Sequence, residues 1–219
     1  MTVTDPSLPF DPYHLGRGGD GDPARGRGGG GPASKRVIVA YGFWIFLISD
    51  IIMFSAFFAG YAVLAGAVAD GPTGRQIFDL HNVAVETACL LLSSFSCGMA
   101  AVAVGARHKV AFYLSMIVTF VLGAIFITLE IREFVGLIQA GDGPSRSAFL
   151  SAFFALVGCH GAHVSAGLLW LLTMIAQVYA KGFRAEMLRR ILCFNLFWHA
   201  LDIIWVAVFT VVYLFGAHP

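Results

Sequence analysis

Charge is what this chain has least of. Asp, Glu, Lys and Arg make up 12% of its 219 residues against 58% hydrophobic, and the mean hydropathy is +0.79. A soluble domain of this size needs more polar surface, so that class is excluded. The four cysteines, Cys89, Cys97, Cys159 and Cys193, lie in apolar runs with no Cys-x-x-Cys or Cys/His spacing. Neither a zinc ribbon nor a covalent haem attachment is indicated, and packing is their expected role. A Gly-rich phosphate loop and a G-x-S-x-G elbow are also missing. So are the short alternating segments of a strand barrel. No internal repeat or symmetric pair of broken helices appears, which weakens a secondary-transporter reading. A net charge of +1 gives no reason to expect a nucleic-acid partner.

What is present is five long apolar runs, at about 37–69, 82–106, 110–140, 147–180 and 188–217. Each exceeds the ~20 residues needed to cross a bilayer. Backbone groups in hydrocarbon find partners only within their own segment, so these runs must be helices. The connections "DGPTGRQIFDL" and "AGDGPSRS" carry Gly-Pro turn chemistry. Short connections predict antiparallel sequential neighbours, and hence an all-α integral membrane protein of five transmembrane helices in an up-and-down bundle, residues 37–219. Residues 1–36, rich in Gly, Pro, Arg and Asp, are expected to form a disordered tail. They lack the apolar core and cleavage site of a secretory signal, so the first span is expected to remain in the mature chain.

The cations are placed unevenly. One set of connections holds Arg17, Arg25, Arg27, Lys35, Arg36, Arg107, Lys109, Lys181, Arg184, Arg189 and Arg190, and the other only Arg75, Arg132 and Arg146. The excess of positive charge on the cytoplasmic side predicts a cytoplasmic N-terminus and a periplasmic His218.

The spans carry few ionisable groups: Asp50, Glu86, Glu130, Glu133, His160, His163, His199 and Asp202. A charge at mid-membrane costs roughly 2.5–3.5 kcal/mol on insertion scales, so each should face protein, water or another of the set. Counting helical rise from the ends of each run places Asp50, His160, His163, His199 and Asp202 at similar depth, with Glu86, Glu130 and Glu133 nearer the outer surface. Asn195, Trp198, His199, Asp202, Trp205 and Phe209 share one arc of the last helix, a protein-facing seam. Gly158, Gly161, Ala162, Ser165, Ala166 and Gly167 surround the two histidines of the fourth and predict close helix approach.

Three readings of His160 and His163 stand side by side: interhelical hydrogen bonds, a proton relay, or a metal site completed by His199 and Asp202. For Asp50 the alternatives are a carboxyl group that is neutral or hydrogen-bonded to a histidine or a hydroxyl, with Ser49 and Ser55 nearby, and a proton-responsive group. The aromatic run Phe43, Trp44, Phe46, Phe54, Phe57, Phe58 and Tyr61 reads as packing against lipid and helices. Trp44, Phe57, Trp198 and Trp205 are expected to pack against lipid or a neighbouring subunit. Histidines could also supply axial ligands, so motif absence alone does not exclude a haem.

The segments "GFWIFLISDIIMFSAFFAGYAVL", "VETACLLLSSFSCGMA", "SAFFALVGCHGAHVSAGLLW" and "NLFWHALDIIWVAVFTVVYLFGA" together resemble subunit III of the haem–copper respiratory oxidases. The likeness is greatest to the five-helix subunit III of the cytochrome bo-type ubiquinol oxidases. HGxHV followed by WHxxDxxW is its most specific part. Cytochrome c oxidase relatives often add two N-terminal helices and usually have Glu at the position of Asp50, which favours the quinol-oxidase branch and leaves the cytochrome c oxidase branch as the alternative.

The resemblance implies an accessory subunit with no catalytic residue, haem or copper of its own. Haems and copper would lie in subunit I, which it would contact directly, with subunits II and IV in the same complex. Ubiquinol would be used by the complex, phospholipid would be held against these helices, and the location would be the bacterial inner membrane. Asp50 matches the family's buried acid, and His160, His163, His199 and Asp202 its interhelical polar set. Glu86 and Glu130 match acidic positions of the next two helices, and His81 and the tail receive no role. A membrane metalloenzyme and a proton or ion carrier are the alternatives from other classes.

Overall fold

A computed structural model describes residues 35–69, 71–182 and 185–217. The expected tail therefore lies almost entirely outside the described residues. Among the described residues there is no strand, and five helices are long and apolar enough to cross a membrane. The chain runs α1 (Lys35–Leu64), α2 (Gly74–Ile77), α3 (Leu80–Gly105), α4 (Lys109–Gln139), α5 (Ala148–Lys181) and α6 (Ala185–Val208). A π-helical segment, Phe209–Leu214, and α7 (Phe215–Ala217) continue α6 without a break.

The helix starts follow their capping chemistry. The Asp79 side chain accepts from the His81 amide at the start of α3, His108 Nδ1 from Ala111 at the start of α4, and Ser147 Oγ from Leu150 at the start of α5. The first span, expected to reach residue 69, stops at Leu64. The Ala67 amide closes a turn on the Leu64 carbonyl, and Ala69 takes a left-handed φ of 47°. The short α2 was not expected. The Thr73 amide donates to Gln76 Oε1, half of the reciprocal cap that a T-x-x-Q sequence offers.

The bundle corrects one expectation about neighbours. α3 packs against α4 and α6, and α5 packs against α4 and α6, so these four close into a ring. The first span does not pair chiefly with the second; α1 lies outside the ring against α5 and α6. The connection 65–79 explains this, because it crosses the end of the bundle. The Phe149 amide at the start of α5 donates to the Ala67 carbonyl. Phe78 packs on Phe149, Phe153 and Tyr213, with the Tyr213 ring centroid 4.8 Å away. α3 thus begins on the far side of α5 and the π segment.

Trp198 of α6 fixes the centre of the ring. It is 2% exposed, and its indole fills sockets left by Gly123 of α4 and Gly167 of α5, where an added Cβ would stand 3.1 and 2.9 Å from its carbons. Its Nε1 donates to Ser93 Oγ of α3 at 3.0 Å. One side chain therefore touches each of the other three helices of the ring.

Candidate functional site

The polar arc of α6 faces α3 and is matched there residue by residue. Cys97 Sγ donates to Asn195 Oδ1 at 3.4 Å, Trp198 Nε1 to Ser93, and Trp205 Nε1 to Thr87 Oγ1 at 3.1 Å. Ser94 Oγ lies 2.6 Å from His199 Nδ1, and Asp202 lies within hydrogen-bonding reach of Ser94 and beside His199. This seam is the one the arc predicted. Its other half was missed, although "LLLSSFSC" in α3 signals it: hydroxyls in an apolar helix need partners, and a facing helix supplies them. The same logic links α3 to α4, where Ser96 donates to the Ser115 carbonyl and Thr119 of α4 donates to the Ser93 carbonyl at 3.3 Å.

A second polar group lies between α3, α4 and the π segment. Glu86 is 1% exposed and Glu130 3% exposed, and both are within electrostatic reach of Glu133. Tyr213 donates its hydroxyl to Glu133 Oε2 at 3.2 Å. Gly161 of α5 leaves the room that Glu130 fills, since an added Cβ would stand 2.5 Å from Glu130 Oε1. Glu86 and Glu130, expected to face protein, water or another of the ionisable set, lie inside this chain, and Tyr213, whose direction depends on the π segment, was not expected.

The histidines that prompted three readings do not hydrogen-bond across helices. His160 is fully buried, and neither ring nitrogen has a partner among the described residues. Aromatic rings enclose it instead: Trp205 at 5.1 Å and 32°, Phe126 at 5.8 Å and 88°, and Phe54 at 6.3 Å. The α5 backbone turns this ring between Phe126 of α4 and Trp205 of α6, with Phe54 of α1 beside it. His163 Nδ1 lies 2.7 Å from the carbonyl of Cys159 on its own helix, and its ring meets Phe54 edge-on at 5.3 Å. Both histidines thus join helices by ring packing, worth about 0.5–1.5 kcal/mol per aromatic pair beyond burial.

Asp50 is half-buried beside Cys159. It makes no hydrogen bond with Ser49 or Ser55, because these hydroxyls donate to the Phe46 and Ile51 carbonyls of their own helix. The five groups predicted at one depth therefore divide: His199 and Asp202 turn to α3, while Asp50, His160 and His163 lie around α1 and α5. Among the described residues, no three His, Cys, Asp or Glu side chains come together in a way that could hold a metal ion. His160, His163, His199 and Asp202 accordingly do not form the ligand set considered for a metalloenzyme.

Two packing expectations also change. Trp198 and Trp205 face the interior of this chain, at 2% and 0% exposure, rather than lipid or another subunit, because their indole donors need the α3 hydroxyls. Trp44 is exposed on α1, whereas Phe57 is half-buried and packs against the core beside Phe54. The small residues of α5 serve as sockets for large side chains: Gly161 for Glu130, Gly167 for Trp198 and Phe197, and Gly158 for Phe134.

Residues 30–217 match the family model described as cytochrome c oxidase subunit III. The chain is 54% identical over 179 residues to the cytochrome bo(3) ubiquinol oxidase subunit 3 of Pseudomonas aeruginosa, covering 81% of this chain and 85% of that protein. It is 46% identical over 175 residues to the protein of the same name from Buchnera aphidicola subsp. Baizongia pistaciae, covering 80% and 90%. Against the quinol oxidase subunit 3 of Bacillus subtilis the identity is 39% over 175 residues, covering 80% and 86%. With five long apolar helices, ring-packed histidines and a match along nearly all of its described length, this multi-pass membrane protein belongs to the cytochrome c oxidase subunit III family.

Proposed function

We propose that the chain is the accessory, non-redox subunit III of a proton-pumping ubiquinol oxidase of the bacterial inner membrane. The observation that carries this is the identity of 39–54% to proteins named as subunit 3 of quinol oxidases, extending over 80% or more of each partner. In this reading the haems and copper sit in subunit I, against which the chain packs. Subunits II and IV complete the assembly, and the complex oxidises ubiquinol and reduces oxygen to water. The chain's own part is to stabilise the assembled oxidase and support proton uptake by subunit I. The N-terminus faces the cytoplasm and the C-terminus the periplasm, in keeping with the side on which most of the arginines lie.

Bound phospholipid belongs to the same proposal. Near the start of α6, Arg189 and Arg190 border a groove with Val39, Phe43 and Trp170. Two guanidinium groups at the border of a groove that also holds aromatic side chains suit an anionic headgroup. An apolar groove of about 400 Å³ between α1 and α6, lined by Trp44, Phe54 and Ile203 among others, suits an acyl chain.

The test is purification of the tagged chain from its native membrane, followed by an absorption spectrum and oxidase assays. Co-purification with a haem-containing subunit and ubiquinol oxidase activity is the expected result. Recovery with a cytochrome c oxidase would move it to the other branch. Recovery alone, with metal or ion flux of its own, would overturn the reading. Native mass spectrometry reads the lipid: Arg189→Ala with Arg190→Ala should lose a phospholipid that the parent chain retains.

A further inference from the structure

Among the described residues, no cation forms an ion pair with the acidic group between α3, α4 and the π segment. Glu86, Glu130 and Glu133 interact electrostatically with one another, and Tyr213 with all three. α3 adds Asp79, which interacts with Glu133, and Cys89, beside Glu86. α5 offers a glycine surface at Gly161. From α1, the Tyr61 hydroxyl is turned to the Val212 carbonyl. Among the described residues no ion pair ends on these glutamates; the ion pair seen joins Arg146 to Asp142. Arg132, the nearest cation in sequence, is exposed.

Two observations separate this group from a chance cluster of acids. Glu86 Oε2 and Glu130 Oε2 are buried and have no hydrogen-bond partner, in residues only 1% and 3% exposed. Moreover, Gly161 leaves a cradle for the Glu130 carboxyl that a methyl group would fill. Carboxylate oxygens are acceptors only, so an orphan oxygen among like groups lacks a donor. A proton on the carboxyl group turns that acceptor-only oxygen into a donor.

We infer that Glu86, Glu130 and Glu133, with Tyr213 as a donor, form a proton-holding site inside the bundle that exchanges with the aqueous phase where α3 begins. The order of exposure gives the route: Asp79 is exposed, Glu133 partly buried, and Glu86 and Glu130 buried. Tyr213 fixes the acceptor oxygen of Glu133, and the π segment aims it there. This site is independent of whichever oxidase branch the chain serves.

The test is infrared spectroscopy on the chain purified from its native membrane with whatever subunits accompany it, at neutral pH in H2O and D2O. The parent protein should show carboxylic-acid carbonyl bands that shift in D2O. Glu130→Gln and Glu86→Gln should each remove a band, and Tyr213→Phe should shift the one that Glu133→Gln removes. Carboxylate bands alone would overturn the inference. So would a stoichiometric cation, found by elemental analysis and lost in Glu130→Gln. Should a variant fail to accumulate, carboxyl-labelled glutamate in the parent protein gives the same reading, and absence of any protonated band there is equally fatal. Failure of this test leaves membership in an oxidase untouched, since haem co-purification is read separately.

Discussion

α1 and the last span are both long, apolar helices, yet they live differently in the bundle. In the most apolar stretch of α1, 11% of residues are buried; in that of the last span, 50% are. The polar side chains follow the same division. Ser49 and Ser55 of α1 return their hydroxyls to carbonyls of their own helix. Asn195, Trp198, His199 and Trp205 of α6 reach across to α3. Apolar length decides that a segment enters the membrane, and cross-helix partners decide which segment becomes the core. α1 keeps its outward residues, such as Tyr41, Ile52 and Val63, free of the rest of this chain.

The comparison breaks most readily at tryptophan. Trp198→Ala empties the sockets at Gly123 and Gly167 and orphans the Ser93 hydroxyl acceptor, so a loss of about 3–5 kcal/mol is expected. Trp44→Ala, on the exposed face of α1, should change the stability of the isolated chain by no more than ~0.5 kcal/mol. Thermal unfolding in detergent measures both. Equal losses would mean that α1 contributes to the core as much as α6 does.

How much of this was legible beforehand depends on what each feature needed. The five spans and the α6 arc needed only periodicity and length, and both were readable. The partners of the arc were not, because pairing Ser94 with His199 or Thr87 with Trp205 requires knowing that α3 packs on this side of α6 and α1 on another. That choice is made by the connection between α1 and α3, described at 65–69 and 71–79, whose length reads the same whether it turns back or crosses. His160 shows a different limit. A histidine in an apolar helix signals a need for partners, but the aromatic enclosure by Phe126 and Trp205 comes from two other helices and leaves no local trace. The aim of Tyr213 depends on a π segment that "FTVVYL" does not announce.

Glycine sharpens the comparison at the next size of effect. Gly161→Ala sets a methyl group 2.5 Å from Glu130 Oε1 and should cost about 1–3 kcal/mol. Gly60→Ala on α1 meets nothing within 4 Å and should stabilise by roughly 0.4–1 kcal/mol, since alanine has less freedom to lose and favours helix. Opposite signs for one substitution are the expected outcome. Adding Glu130→Ala to Gly161→Ala should recover part of the loss, with a coupling of about 0.5–3 kcal/mol. No coupling would place the carboxyl elsewhere.

The smallest contrast is between two serines. Ser94→Ala removes the partner of His199 Nδ1 and the hydroxyl within reach of Asp202, whose Oδ1 already has no partner. Leaving such groups unpaired between α3 and α6 should cost about 1–2 kcal/mol. Ser55→Ala takes away only a hydroxyl bonded four residues back in its own helix, and a change within about 0.5 kcal/mol is expected. Ser94→Thr keeps the oxygen and should recover most of the stability if the methyl group fits, which separates loss of the hydrogen bond from loss of volume. If Ser94→Ala were as silent as Ser55→Ala, the hydroxyl ladder of α3 would be packing alone, and the cross-helix partners would not be what makes α6 the core.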